Sequence, residues 1–222
     1  MPEFTAEFGK DKPPEPDGRL DAGAFHRNQA PIWTVLSQFL QGRAGDVLEI
    51  GSGTGQHAVE FARLSPEIVW WPTDLREGHM RSIAAWRAHA KLGNLQPPTR
   101  LDASQADWRL TERGLPPKFV GIFCANVIHI APWAVAQGLF AGAGRHLRMD
   151  GRLFLYGPFR RDGVDNAPSN AAFDANLRRD NPEWGVRDTA DLKKLGEANG
   201  LRLAGLTELP SNNAMLAFER GQ

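Results

Sequence analysis

Apolar positions along the chain follow two periods. Ile32, Val35, Leu36, Phe39 and Leu40 share one face of a helix, which Pro31 would open in its first turn. Residues 58–64, 83–92, 133–147 and 191–198 repeat that spacing and predict further helices. Between them lie short apolar runs of the kind that form buried strands, at 47–50, 68–74 and 119–125. Residues 97–103 give a short third strand, and 152–159 a fifth after a turn at Asp150-Gly151. Residues 201–209 and 213–219, joined through Pro210-Ser211-Asn212-Asn213, read as a closing antiparallel hairpin. Strand and helix alternate, so the chain predicts an α/β fold: a seven-stranded, mostly parallel sheet with helices on both faces and an antiparallel last strand.

Two stretches lack either period. Residues 1–22, with Pro13-Pro14-Glu15-Pro16, resist helix and sheet and predict a flexible arm ahead of a single domain at 23–222. Residues 160–187 are polar, Asn-rich and poor in strand signal. They follow a strand's carboxyl end, which marks them as a lid or insertion over a substrate.

Composition narrows the class. The 222 residues suit one domain with a full core. Lys plus Arg and Asp plus Glu number 26 each, so the basic surplus of a nucleic-acid binder is missing and no nucleic-acid partner is expected. The single cysteine, Cys124, excludes a disulfide framework, and the scattered histidines predict no metal site. No apolar run reaches membrane-spanning length and residues 1–23 lack a signal-peptide core, so a cytoplasmic protein with no membrane partner is expected.

The chemistry centres on Glu49-Ile50-Gly51-Ser52-Gly53-Thr54-Gly55-Gln56-His57. This is a strand, a glycine-rich turn and a helix start, a place where backbone N–H groups meet a ligand. A dinucleotide fingerprint needs its third glycine where Gln56 stands, and Glu49 would repel a pyrophosphate. An NAD(P)-dependent oxidoreductase is therefore the weaker reading, whereas a cation beside Glu49 is favoured. Asp74 ends the second strand about twenty residues on, where a carboxylate meets ribose hydroxyls in this architecture. Asn126 and His129 lie beyond the fourth strand; His129 is a candidate base or a packed hydrogen-bond donor. Tyr156, the only tyrosine, lies at the sheet's ligand edge.

The pattern E-x-G-x-G-x-G resembles the first motif of the class I S-adenosylmethionine (SAM) methyltransferases. That resemblance implies the Rossmann-like fold with strand order 3-2-1-4-5-7-6 and SAM as cofactor. It places Glu49, Gly51, Ser52, Gly53, Gly55, Gln56 and His57 around the methionine part, and Asp74 with Leu75 at the ribose. It also places Asp102 with Ala103 at the adenine, and Arg27, Asn28 and Asn126 as further cofactor contacts. Together with Arg27-Asn28, the segments at 125–130, Tyr156-Gly157-Pro158-Phe159, Ser169-Asn170-Ala171-Ala172-Phe173-Asp174 and Asn212-Asn213 look like the methyltransferase-like family labelled domain of unknown function 938. The resemblance covers about residues 25–219 and supplies no acceptor. His129 and Tyr156 are the candidate catalytic residues. Trp133, Tyr156, Phe159, Ser169, Asn170, Phe173, Asp174 and Asn212 are the candidate lining of a small-molecule pocket, compact and mostly apolar, for an O, N or S nucleophile. A non-catalytic SAM-fold binding partner is the alternative of a different class.

Overall fold

The computed structural model describes residues 13–165 and 167–221. The helices are α1 Gly23–Leu40, α2 Gln56–Leu64, α3 Glu77–Ala90, α4 Trp133–His146, α5 Pro168–Asp180 and α6 Thr189–Ala198. The strands are β1 Gly45–Ile50, β2 Ile68–Asp74, β3 Thr99–Arg100, β4 Phe119–Ala125, β5 Leu147–Gly157, β6 Phe159–Arg161, β7 Val164–Asp165, β8 Arg187–Asp188, β9 Leu201–Leu209 and β10 Asn213–Arg220.

The main sheet runs β3-β2-β1-β4-β5-β10-β9. Counting its own strands along the chain, this is the expected 3-2-1-4-5-7-6. β1 pairs in parallel with β2 and β4, and β4 with β5; β10 is antiparallel to both β5 and β9. The central strands are apolar on both faces because helices cover both. Val47 and Phe123 face Ile32, Leu36 and Phe39 of α1 and Phe61 of α2. Leu48, Ile50 and Ile122 join the opposite core with Leu139 and Phe140 of α4 and Leu192 of α6.

Several boundaries differ from the sequence pattern. Pro31 lies inside α1, which begins at Gly23, so Arg27 and Asn28 belong to the helix and do not precede it. A proline there loses a backbone hydrogen bond, which costs roughly 3 kcal/mol. Contacts of the extra turns offset it: Asn28 is buried and its Oδ1 lies 2.9 Å from His57 Nε2, and the Phe25 ring packs 5.2 Å from that of His57. Asp150-Gly151 does not break the chain; β5 runs through it from Leu147, with a register shift against β4.

Residues 160–187 are regular where no strand or helix was expected. β6 pairs antiparallel with β7 and parallel with β8, and α5 spans thirteen residues. The inward face of α5 is Asn170, Asp174 and Leu177, so its buried side carries two polar residues for one apolar and shows no hydrophobic period.

Glycine in α4 positions the site. A Cβ at Gly138 would lie 2.0 Å from the Ala103 carbonyl oxygen, and one at Gly142 would lie 2.2 Å from the Trp108 ring. These glycines let the segment after β3, with Asp102 and Ala103, lie directly against the helix. No helix among the described residues is long and apolar enough to cross a membrane.

Candidate active site

The site begins where β1 ends. Gly51, Gly53 and Gly55 take φ values of 68, 57 and 91°, a region glycine enters without steric cost. A Cβ at Gly51 would sit 2.5 Å from Val127 Cγ2, and one at Gly55 2.9 Å from Ile83 Cα, so the turn is squeezed between the loop after β4 and helix α3. It is also fastened to β2. Ser52 N–H donates to the Thr73 carbonyl at 2.8 Å, and Gly53 N–H donates to Asp74 Oδ2 at 2.9 Å.

Two buried carboxylates flank this turn and have opposite surroundings. Asp74 accepts from Gly53 N–H and from Arg76 N–H (2.9 Å), and its Oδ1 lies 3.2 Å from His79 Nδ1. Glu49, only 2 % exposed at the centre of the sheet, has an oxygen, Oε2, with no hydrogen-bond partner among the described residues. Burial pushes its pKa up to about 8; a Ser52 hydrogen bond pulls down and the Asp74 charge adds to the rise. Asp102 is held ionised despite partial burial, by hydrogen bonds from Ser104 and Gln105.

Gly51, Asp74, Leu75, Asp102 and Ala103 line one cleft, walled by Leu101, Val127, Ile130 and Val135. A second cleft is lined by Arg27, Asn28, Asn126, Tyr156, Pro210, Ser211 and Asn213. Asn126 and Val127 are consecutive yet face different clefts, so the two meet along this loop. Asn126 holds φ 56°, a conformation costly for most side chains and most tolerable for Asn, and such residues gather at functional sites. The Tyr156 hydroxyl hydrogen-bonds with the Asn28 and Asn213 side chains, and burial raises its pKa. Arg27, exposed at the rim, makes no ion pair with any described residue.

A family model described as "Protein of unknown function (DUF938)" matches residues 19–220. The chain belongs to the DUF938 family. Among solved structures, it superposes on an O-methyltransferase family protein from Burkholderia thailandensis with TM-score 0.74 and 16 % identity, over 90 % of this chain and 58 % of the other. Human N-acetylserotonin methyltransferase in complex with SAM gives TM-score 0.70 at 14 % identity, over 90 % and 53 %. A methyltransferase of calicheamicin biosynthesis, in its SAH-bound form, gives 0.65 at 18 %, over 86 % and 54 %. The fold of this DUF938 chain is thus the class I methyltransferase fold, and the chain spans just over half the length of these structures.

The remaining expected site residues of the DUF938 chain lie away from the two clefts. Gln56 and His57 are turned to the other side of the turn: Gln56 bonds Asp21, Ala22 and Thr54, and His57 packs between Phe25 and Phe61 next to Asn28. His129 is 1 % exposed. Its Nε2 lies 3.3 Å from Asn126 Oδ1, its Nδ1 has no partner among the described residues, and the Phe159 and Phe173 rings flank it. Burial and the nearby Arg187 charge push its pKa down to about 3, so it stays neutral. Gly157 permits this placement, since a Cβ there would lie 2.3 Å from the imidazole.

Asp174 is the internal anchor of the 160–187 segment, accepting from Arg160, Arg178 and Val186 N–H. Ser169 and Asn170 fasten α5 to Asn212 in the hairpin turn. Trp133 lies under the Arg187 guanidinium, which also bonds the carbonyls of Ile128 and Ala131. Leu101, Val127 and Ile130 of the first cleft escaped the sequence reading because an apolar wall residue looks like core. Ser211, with φ 63°, left only its place in a polar turn as a signal.

Proposed function

We propose that this chain is a SAM-dependent methyltransferase acting on an O, N or S nucleophile of a small molecule. The observation that carries it is the unpartnered Oε2 of Glu49. A carboxylate buried beside a glycine turn with no counter-ion lacks only a cation or a strong donor. The sulfonium and ammonium of SAM would supply that charge, and the first cleft offers both an acid for the ribose, Asp74, and one for the adenine, Asp102. Bound SAM would supply an electrophilic methyl carbon on sulfur.

The protein's own residues then divide the work. Glu49 loses its proton as the cation arrives, and Asp74 fixes the ribose. The second cleft holds the acceptor: its carboxamides and the Tyr156 hydroxyl orient a nucleophile, and no acid lies among its lining residues. Holding the reactants in line supplies most of the acceleration. His129 works by supporting Asn126 from behind, because a group that stays neutral down to about pH 3 is a weak base at physiological pH. The segment at 160–187 serves as the lid over the acceptor. This reading takes 23–222 as one methyltransferase domain working in the cytoplasm.

Calorimetry on the purified chain should show SAM and S-adenosylhomocysteine binding, with no comparable heat from NADH. Tight NADH binding would return the oxidoreductase reading. Separately, the His129 Cε1–H resonance should hold its shift from pH 8 to pH 5; a titration near 6.5 would restore it as a candidate base.

A further inference from the structure

Residues 19–22, read in the sequence as the end of a flexible arm, are fixed across the back of the glycine turn. Leu20 N–H donates to Ser82 Oγ at 2.9 Å, and Ser82 Oγ donates on to the Thr54 carbonyl at 2.7 Å. Ala22 N–H donates to Gln56 Oε1 at 2.8 Å, while Gln56 Nε2 donates to Asp21 Oδ1 at 2.8 Å. Thr54 Oγ1 donates to the same Gln56 oxygen at 2.9 Å. On the outer side, Trp86 Nε1 donates to the Leu20 carbonyl at 2.9 Å, and the Arg19 guanidinium lies 4.7 Å above the Trp86 ring.

This segment joins both clefts. It bonds Gln56 directly and reaches the Thr54 carbonyl through Ser82, next to the turn that carries Gly53 and Gly55, and it leads directly into α1, which carries Arg27 and Asn28. Ser82, Thr54 and Gln56 are all buried. If the segment left, the Gln56 carboxamide would lose its partners on the strap, and Ser82 and Trp86 would lose theirs. Buried polar groups are costly to leave unpaired, so the turn and the segment hold one another in place.

We propose that residues 19–22 form a strap whose docking holds the glycine turn in its cofactor-binding shape, with Asp21, Ser82 and Trp86 as positioning residues. The inference rests on the SAM-binding reading above. Linkage makes the coupling reciprocal: the factor by which the docked strap tightens SAM is the factor by which SAM tightens the strap.

Two variants of the full chain test it without touching a cleft residue. Trp86→Phe removes only the donor to the Leu20 carbonyl and keeps a ring under Arg19. Asp21→Ala removes the acceptor for Gln56 on the strap itself, together with the 2.6 Å contact of Asp21 Oδ1 with His26 Nε2, outside the apolar core. Calorimetry reads SAM affinity, and trypsin cleavage at the Arg19–Leu20 bond reads strap release. In the wild type, SAM should slow cleavage at that bond. Each variant should be cut faster. Trp86→Phe should bind SAM about tenfold more weakly, the effect of one lost hydrogen bond, and Asp21→Ala, which loses contacts to both Gln56 and His26, should weaken it by at least that factor. A variant that is cut faster yet binds SAM as the wild type does overturns the strap. So does a wild type that binds SAM with no change in cleavage. A wild type that binds no SAM refutes the methyltransferase reading itself and removes the basis of the strap with it.

Discussion

Glu49→Gln should stabilise the ligand-free protein at alkaline pH and abolish SAM binding. The argument follows from protonation. The Glu49 pKa is raised from 4.5 to about 8 in the fold, so the folded state holds this proton while the unfolded chain releases it. Its contribution to stability is therefore complete below about pH 4.5 and is lost as pH rises through about 8. At pH 9 the cost of the buried charge reaches roughly 5 kcal/mol. Glutamine removes that cost and keeps the shape. His57 and His129 act in the opposite sense: burial lowers them to about 4 and about 3, so the unfolded chain binds their protons first and stability falls as pH drops below 6.5. His146 is lowered in the same direction. Denaturant unfolding against pH should show a maximum near pH 6.5, and Glu49→Gln should flatten the alkaline side and steepen the acid side between about pH 4.5 and 6.5, where Glu49 opposes the histidines. In the wild type, cation binding requires ionised Glu49, so SAM affinity should rise with pH up to about 8 and then level off, with proton release in calorimetry below that point. A glutamine variant that still binds SAM like the wild type would mean that the cation sits elsewhere.

Asp74→Ala should weaken SAM roughly 10²–10⁴-fold, because two hydroxyl hydrogen bonds to a charged group contribute about 1.5–3 kcal/mol each. It should also destabilise the free protein, since Gly53 N–H and Arg76 N–H both lose their acceptor. Each such loss costs about 1–3 kcal/mol. Asp74→Asn, which keeps one oxygen, should lie between the two. Calorimetry and urea unfolding read the two effects separately. The expected destabilisation with unchanged SAM affinity would show Asp74 to be only the brace of the turn.

The parts of this molecule that were legible in the sequence are those where one residue type answers a local need. Glycines at 51, 53 and 55 announce a turn because their backbone angles exclude other residues. The same holds for β1, β2 and β4, whose two-sided burial leaves a continuous apolar run. What was hidden depends on partners distant along the chain. α5 escaped because its buried face pairs Asp174 with Arg160 and Arg178 and Asn170 with Asn212, so polarity stood where the pattern seeks apolar residues. The start of α1 was masked by Pro31, whose cost is met by contacts with α2. Gln56 and His57 were legible as motif positions, but not their direction: motif spacing places a backbone, and the strap and α1 decide where those side chains turn.

The polar inner face of α5 has a thermal consequence. Lifting a helix that buries aliphatic surface exposes that surface to water and raises the heat capacity, so temperature shifts its equilibrium strongly. The buried face of α5 has Leu177 as its one apolar residue and is otherwise held by the Asp174 contact with Arg160 of β6 and the Asn170 contact with Asn212, and exposing polar groups contributes to heat capacity with the opposite sign. Local detachment of α5 should therefore vary little between cold and warm conditions and respond mainly to ionic strength, whereas the core of the sheet behaves the other way round.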